Sequence, residues 1–290
     1  MFTRQKTILE LLTQAGRPLG RLELTKLAFL LRFEKPSAGG SAFFDFVPYH
    51  YGPFSFGLYQ ELGKLEVQGY ISTVDDSWAL GEVPPPPLTD RQTRSDIAGL
   101  LRRFSSSSTD ELVDYVYAKY PRYTVNSKRK KLANKVVAEP AVYTAGYEGL
   151  SVDGFLNRLV ENGITQLLDV RMNPIARRYG FHKSTLGKLS ANLGINYIHV
   201  PELGIRSELR QSLENQADYD RLFKLYREST LAEEPQAIKR IADLIQKQPS
   251  VLVCMEEKPS CCHRSHLAEA VSKLTNLAVV HLGQDHCGAN

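Results

Sequence analysis

A chain of 290 residues, 42% hydrophobic and 23% charged, is long enough for two globular domains. No apolar run approaches the roughly 18–20 residues that span a bilayer, so no membrane association is expected. The net charge of +4 is mild, and four cysteines, two of them adjacent, do not read as a disulfide framework. Met1 to Lys6 is not followed by the apolar core of a secretory signal, so a reducing cytoplasm is the expected compartment.

In chain order, residues 3–15 read as a helix ended by Gly16 and Pro18. Residues 21–33 read as a second, with Leu22, Leu24, Leu27, Leu30 and Leu31 on its apolar side. A strand is expected at Phe43 to Val47, then a turn over Tyr49 to Ser55. A third helix follows from Phe56 to Gln68, closed by Gly69. Tyr70 to Val74 and Trp78 to Leu80, separated by Asp75-Asp-Ser, read as a hairpin. Three helices and a hairpin make a winged-helix-like α+β domain over residues 1–83, of a kind that binds DNA or protein.

The proline run Pro84 to Pro87 favours a stiff extended connection and marks the expected end of that unit. Residues 84–140 are then a helical, basic connector, with helices at Thr89 to Phe104 and, capped by Thr109, onward to Lys119. Between Lys119 and Glu139 seven basic residues stand against one acidic residue, a local charge of +6. Lys128, Arg129, Lys130 and Lys131 form its centre, with Tyr115, Tyr117, Tyr120 and Tyr123 in or beside it. Cations among aromatics suit a phosphate backbone and stacked bases; a solvated surface has the same composition.

From residue 141 the pattern changes. Strands are expected at 141–145, 165–170, 196–200, 250–255 and 278–281. Helices alternate with them at 151–162, 184–193, 218–230 and 236–248, and after Cys262. This alternation predicts an α/β domain with a parallel sheet over residues 141–290. Polar residues fall just after the strands. They are Tyr147 and Glu148, then Asp169 and Arg171, then Glu202, then Cys254, Glu256, Cys262, His263 and Arg264. In a parallel sheet these share one edge, where ligands of such folds bind.

Three motifs carry a resemblance. Asp169-Val-Arg-x-x-Pro174, Pro201-Glu-Leu-Gly204, and Cys254-x-Glu256 followed by Cys262-His-Arg264 are similar to the bacterial family catalogued as domain of unknown function 488. Tyr143-Thr-Ala-Gly-Tyr-Glu-Gly149 resembles one branch of it. The resemblance spans about residues 141–286 and implies an α/β fold with these residues on one rim. It carries no settled activity. Tyr51-Gly-Pro-Phe-Ser55 before a helix resembles the Panacea (SocA-like) antitoxin-associated domain.

Arg171, Arg177, Arg178, Arg206 and Arg264 are candidates for gripping phosphate, a task suited to the planar guanidinium. The structural alternative pairs Arg171 and Arg264 with Asp169 and Glu202. Glu148 or Glu256 is the candidate to activate water, with His263 as acid or base and Asp169 orienting an arginine. Cys254 is a candidate nucleophile beside His263, or a small buried hydrophobe. Cys254, Cys262 and His263 are an alternative zinc set, with Cys261, Cys287, His266 or His286 as the fourth ligand. Their spacing is not a Cys-x-x-Cys pair, so no metal or other cofactor is expected. His182 and His199 read as structural.

The function expected from these residues is hydrolysis of a nucleotide or nucleic-acid group, for example N-glycosidic cleavage, with a nucleic acid or nucleotide as partner. The N-terminal domain would contact the nucleic acid or a protein partner. Two other readings fit the same residues: a non-catalytic, antitoxin-like regulator with an anion-sensing pocket, and a cysteine-dependent redox or sulfur-handling protein.

Overall fold

The computed structural model describes residues 1–206, 209 and 215–283. The chain forms two compact units, Met1–Asn134 and Lys135–Asn290.

The first unit starts with α1 (Thr3–Ala15), β1 (Leu19–Gly20) and α2 (Arg21–Glu34). Next come β2 (Val47–Tyr49), β3 (Gly52–Phe54) and α3 (Phe56–Val67). The hairpin of β4 (Ile71–Val74) and β5 (Ser77–Leu80) follows, and β1 pairs antiparallel with β5 to make a three-stranded sheet. Gly16, left-handed at φ 63°, ends α1 where any side chain would be strained. The Ser55 hydroxyl caps α3 by accepting from the Leu58 N–H.

Four expectations change here. Residues 43–46 form no strand: Phe43, Phe44 and Phe46 are all buried, so the segment packs as an irregular plug rather than alternating between two faces. The turn expected at 49–55 holds a strand of its own, with β2 and β3 pairing around His50 and Tyr51. The chain also does not leave the core at the prolines. α4 (Arg91–Arg103) and α5 (Thr109–Lys119) bury Ile97, Leu100, Leu112 and Val116 in the same cluster as the leucines of α1 and α2. At roughly 1.5–3 kcal/mol per buried aliphatic side chain, these four hold both helices to the core. The expected connector is therefore part of the first unit as far as Asn134. Ser108, not Thr109, caps α5, in a reciprocal box with Glu111.

Lys26, Glu61 and Asp96 are the buried charged residues described in this unit. Lys26 of α2 is 1% exposed and its ammonium donates to the Pro53 carbonyl at 2.9 Å. Burial pushes its pKa down to about 7.

The second unit is the expected parallel α/β domain. Its strands are β6 (Val142–Gly146), β7 (Gln166–Asp169), β8 (Asn196–His199), β9 (Ser250–Cys254) and β10 (Val279–Leu282). They lie in the order β10-β6-β9-β7-β8, and every neighbouring pair is parallel. Val251, Leu252 and Val253 are wholly buried, as a central strand covered on both faces requires. The helices are α6 (Val152–Glu161), α7 (Lys183–Asn192), α8 (Gln216–Tyr226, continued by a π-helical turn Arg227–Leu231), α9 (Pro235–Lys247) and α10 (His263–Thr275).

The chain runs from β6 through α6 to β7 and through α7 to β8, moving towards one edge. It then returns through α8 and α9 to β9, and through α10 to β10 at the other edge. Right-handed crossovers put helices from the two directions on opposite faces. In agreement, α9 and α10 share one apolar cluster with Val142, Leu168 and Leu252, to which α6 and α7 contribute nothing. Among the described residues no helix is long and apolar enough to cross a membrane.

Candidate active site

The register brings the strand ends level. Gly146 of β6 lies opposite Cys254 of β9, and Asp169 of β7 lies opposite both Val253 and His199 of β8. After β9 the chain leaves to one face of the sheet, whereas after β6 and β7 it leaves to the other. The carboxyl end of β9 thus stands at the topological switch point, where this class of fold opens a crevice. Cys254 and Glu256 belong to that end.

Asp169 and Arg171 form a buried lock. Arg171 donates to Asp169 from Nε (2.8 Å) and from Nη2 (2.5 Å), and its backbone N–H reaches the same carboxylate at 3.2 Å. The Arg171 Nη1 donates to the Tyr147 hydroxyl (2.8 Å) and the Phe181 carbonyl (3.0 Å), and the Tyr197 hydroxyl donates to Asp169 (2.5 Å). Burial alone would lower the guanidinium's pKa, but the Asp169 carboxylate outweighs it and holds the group above its ordinary value. Breaking such a buried pair from one side typically costs about 3–5 kcal/mol. Arg171 therefore ties the ends of β6, β7 and β8 together, with four of its five side-chain N–H groups used by the protein.

Arg264 is likewise 1% exposed. It donates to the Glu256 carbonyl, to the Glu257 carbonyl at 2.9 Å and, more weakly, to the Thr144 hydroxyl at 3.4 Å. Among the described residues it pairs with no carboxylate, and it fixes the loop after β9 through that loop's backbone carbonyls. Glu202 pairs instead with Arg240 of α9. Arg177 and Arg178 are exposed, Arg178 reaching the Gly149 carbonyl at 3.3 Å, and Arg206 pairs with Glu233.

Around Cys254 the sequence-distant groups converge. The Cys254 thiol donates to Glu256 Oε2 at 3.0 Å and lies 3.7 Å from His263 Nδ1. His263 Nε2 is 3.1 Å from the Val170 carbonyl, which can only accept; Nε2 therefore carries a proton, and Nδ1 is the ring nitrogen facing the sulfur. Cys254, Cys262 and His263 are each 1% exposed, and their ligating atoms all lie within 4.8 Å of one another. Burial, followed by the neighbouring Cys254, pushes the Cys262 thiol well above its usual range. Burial would raise the Glu256 carboxyl, but hydrogen bonds from Cys254 and Cys262 outweigh it, and the net shift is downward. Glu256 is half-buried, and exposed Glu148 accepts from the backbone N–H of Glu257 at 3.1 Å, linking the ends of β6 and β9.

Cys261 is half-buried and contacts the Ser260 hydroxyl, while His266 contacts Arg227. His286 and Cys287 lie outside the described residues. Lys128, Arg129, Lys130 and Lys131 are exposed in the first unit, and Arg129 pairs with Asp110 and Asp114. His182 precedes α7, and the His199 Nε2 bonds the Arg171 carbonyl at 2.9 Å. Tyr147 and Tyr197 were not singled out as supports of the Asp169–Arg171 lock; the period-2 placement of Tyr197 and His199 on β8 is the signal that marks them as one face. A groove of about 670 Å³ lies between α9 and α10, lined by Ile238, Ala242, Ala270 and Leu274; His266 and Arg227 border it, whereas Cys254, Glu256, Cys262 and His263 do not.

Fold and rim together define a doubly wound parallel α/β unit with a thiol, imidazole and carboxylate cluster at its switch point, preceded by a helical unit with a small sheet. Residues 151–271 match the family model described as Domain of unknown function DUF488. The match takes in the motifs at Asp169–Pro174, Pro201–Gly204 and Cys254–Arg264 and supports the family reading of the C-terminal region. No curated protein and no solved structure matches the chain.

Proposed function

We propose that the protein is a hydrolase of a nucleotide or nucleic-acid group, with the chemistry on the second unit and nucleic-acid contacts on the first. The observation that carries this reading is that Glu148 and Glu256 lie in the loops leaving β6 and β9 at the switch point, which are tied together where the Glu148 carboxylate accepts from the Glu257 N–H. Hydrolysis of an N-glycosidic bond needs a carboxylate to take a proton from water and a negative charge near the oxocarbenium-like centre. Glu256 takes the first role and Glu148 the second. Asp169, Arg171 and Arg264 hold the rim in place, so phosphate contacts fall to the exposed Arg177 and Arg178. The first unit runs helix, strand, helix, the β2–β3 hairpin, helix and the β4–β5 hairpin; three helices closed by a hairpin support a winged-helix reading, which suits nucleic-acid binding.

The test is product analysis. The full chain is incubated with nucleotides and with single- and double-stranded oligonucleotides, and free base or shortened product is sought by mass spectrometry. Glu256→Gln is expected to lower turnover by 10²-fold or more, the scale of a lost acid–base group, while leaving retention of the nucleic acid intact. Retention by both proteins without product from either would reject the hydrolase and favour the non-catalytic regulator.

A further inference from the structure

We propose that Cys254, Cys262 and His263 hold a thiophilic divalent cation, with zinc as the ion the donor set fits best. The inference does not depend on the hydrolytic reading, because the ion would be held whether or not any substrate is turned over.

Three observations point to it. First, three soft or borderline donors from two separate segments, the end of β9 and the start of α10, come within 4.8 Å of one another in the core. A tetrahedral ion with Zn–S near 2.3 Å and Zn–N near 2.0–2.1 Å separates sulfur and nitrogen ligands by about 3.6 Å. Cys254 Sγ and His263 Nδ1 are 3.7 Å apart. Second, the Val170 carbonyl holds the His263 proton on Nε2. Metal-bound histidines are oriented in this way, with the second ring nitrogen tied to a carbonyl or carboxylate so that the first is free to ligate. Third, Cys254 and Cys262 are both free thiols in the buried cluster.

On binding, each thiol releases its proton to solvent, and the two thiolates neutralise the dication. The buried set then carries no net charge. Two cysteines and one histidine make three protein ligands, the number that leaves a fourth position open. Glu256 Oε2 lies 3.0 Å from Cys254 Sγ, next to the ligand set. Cys261, one residue before Cys262, is half-buried outside the cluster and serves as the control.

The full chain is purified under reducing conditions without added metal, and its metal content is measured by mass spectrometry. About one zinc per chain is expected in the wild type and in Cys261→Ser, falling at least tenfold in Cys262→Ser and His263→Ala. To separate loss of the ion from loss of the fold, the wild type is also stripped with a chelator and titrated with Co²⁺ alone. Visible d–d bands of a tetrahedral site and a near-ultraviolet thiolate-to-cobalt band are expected, saturating at one equivalent. The proposal is overturned if folded, reduced wild type carries no metal and gives no cobalt spectrum. It is equally overturned if Cys262→Ser binds as well as wild type, or if a Cys254–Cys262 disulfide is found in place of the metal.

Discussion

Lys26 illustrates how a single side chain sets a pH dependence in the first unit. Its ammonium is buried with one carbonyl partner, Pro53, and burial pushes its pKa down from 10.5 to about 7. The unfolded chain keeps that proton up to the ordinary value, while the folded chain loses it near pH 7. Between the two the unfolded state binds one more proton, so this residue makes stability rise with pH across that window. Below pH 7 both states are charged and the full burial cost remains. Lys26→Met keeps the stem volume and removes the charge, at the cost of about 1 kcal/mol for the bond to Pro53. The variant is expected to be more stable than wild type at pH 6 by about 1–3 kcal/mol, with the difference shrinking by pH 9. Trp78, the single tryptophan, lies in the first unit's core, so its fluorescence during urea unfolding reports this unit. Equal stabilities at both pH values would show that Lys26 is not the titrating group.

The turn between β6 and α6 shows why a motif glycine is there. A Cβ on Gly146 would overlap the Glu256 carbonyl and crowd Glu257 Cα, because the loop after β9 crosses directly over the end of β6. Gly149, three residues on, has a left-handed φ of 79° but open space around it. Gly146→Ala should therefore displace the loop that carries Glu256, at about 1–3 kcal/mol, while Gly149→Ala costs only backbone strain of about 1–2 kcal/mol. A local cost of 1–3 kcal/mol exposes buried groups roughly 5–150-fold more often. In metal-stripped, reduced protein, modification of Cys254 and Cys262 by a thiol reagent should accelerate by that factor in Gly146→Ala and stay near wild type in Gly149→Ala. An unchanged rate in Gly146→Ala would mean that the two segments separate freely.

The same scale explains what could be read before the structure. Helices with leucine periodicity and glycine stops, and buried strands followed by polar residues, were legible because period and punctuation are local. Phe43 to Phe46 was not, since consecutive aromatics satisfy a strand and an irregular plug alike. The β2–β3 hairpin was hidden because Pro48 and Pro53 face each other in it, and proline reads as a strand breaker. The rim was legible as a set of residues but not as pairs. Arg264 bonds backbone carbonyls, which no side-chain pattern encodes, and Glu202 pairs with a residue 38 positions away. Cys254 and Cys262 meet because a short turn, Pro259–Cys261, folds the loop back onto the strand end.

For the whole molecule, the distribution of charge carries the argument. The net charge is only +4, yet the stretch from Lys119 to Glu139 carries +6. In the first unit Arg129 is engaged by Asp110 and Asp114, whereas no carboxylate forms an ion pair with Lys128, Lys130 or Lys131 among the described residues. These three exposed lysines are the cations available to displace counterions from a phosphate backbone. Each phosphate neutralised adds about 0.9 to the slope of log affinity against log salt on duplex DNA, and about 0.7 on a single strand. Replacing all three by alanine should weaken retention uniformly across sequences and reduce the slope by up to about 2–3. Arg129→Ala should change the slope by less than 1, since its charge is already answered within the protein. The measurement is binding of the full chain to labelled duplex and single-stranded oligonucleotides over 50–300 mM salt. A slope untouched by the triple alanine variant would move the nucleic-acid surface away from this stretch, and a slope near zero in the wild type would remove nucleic acid as a partner altogether.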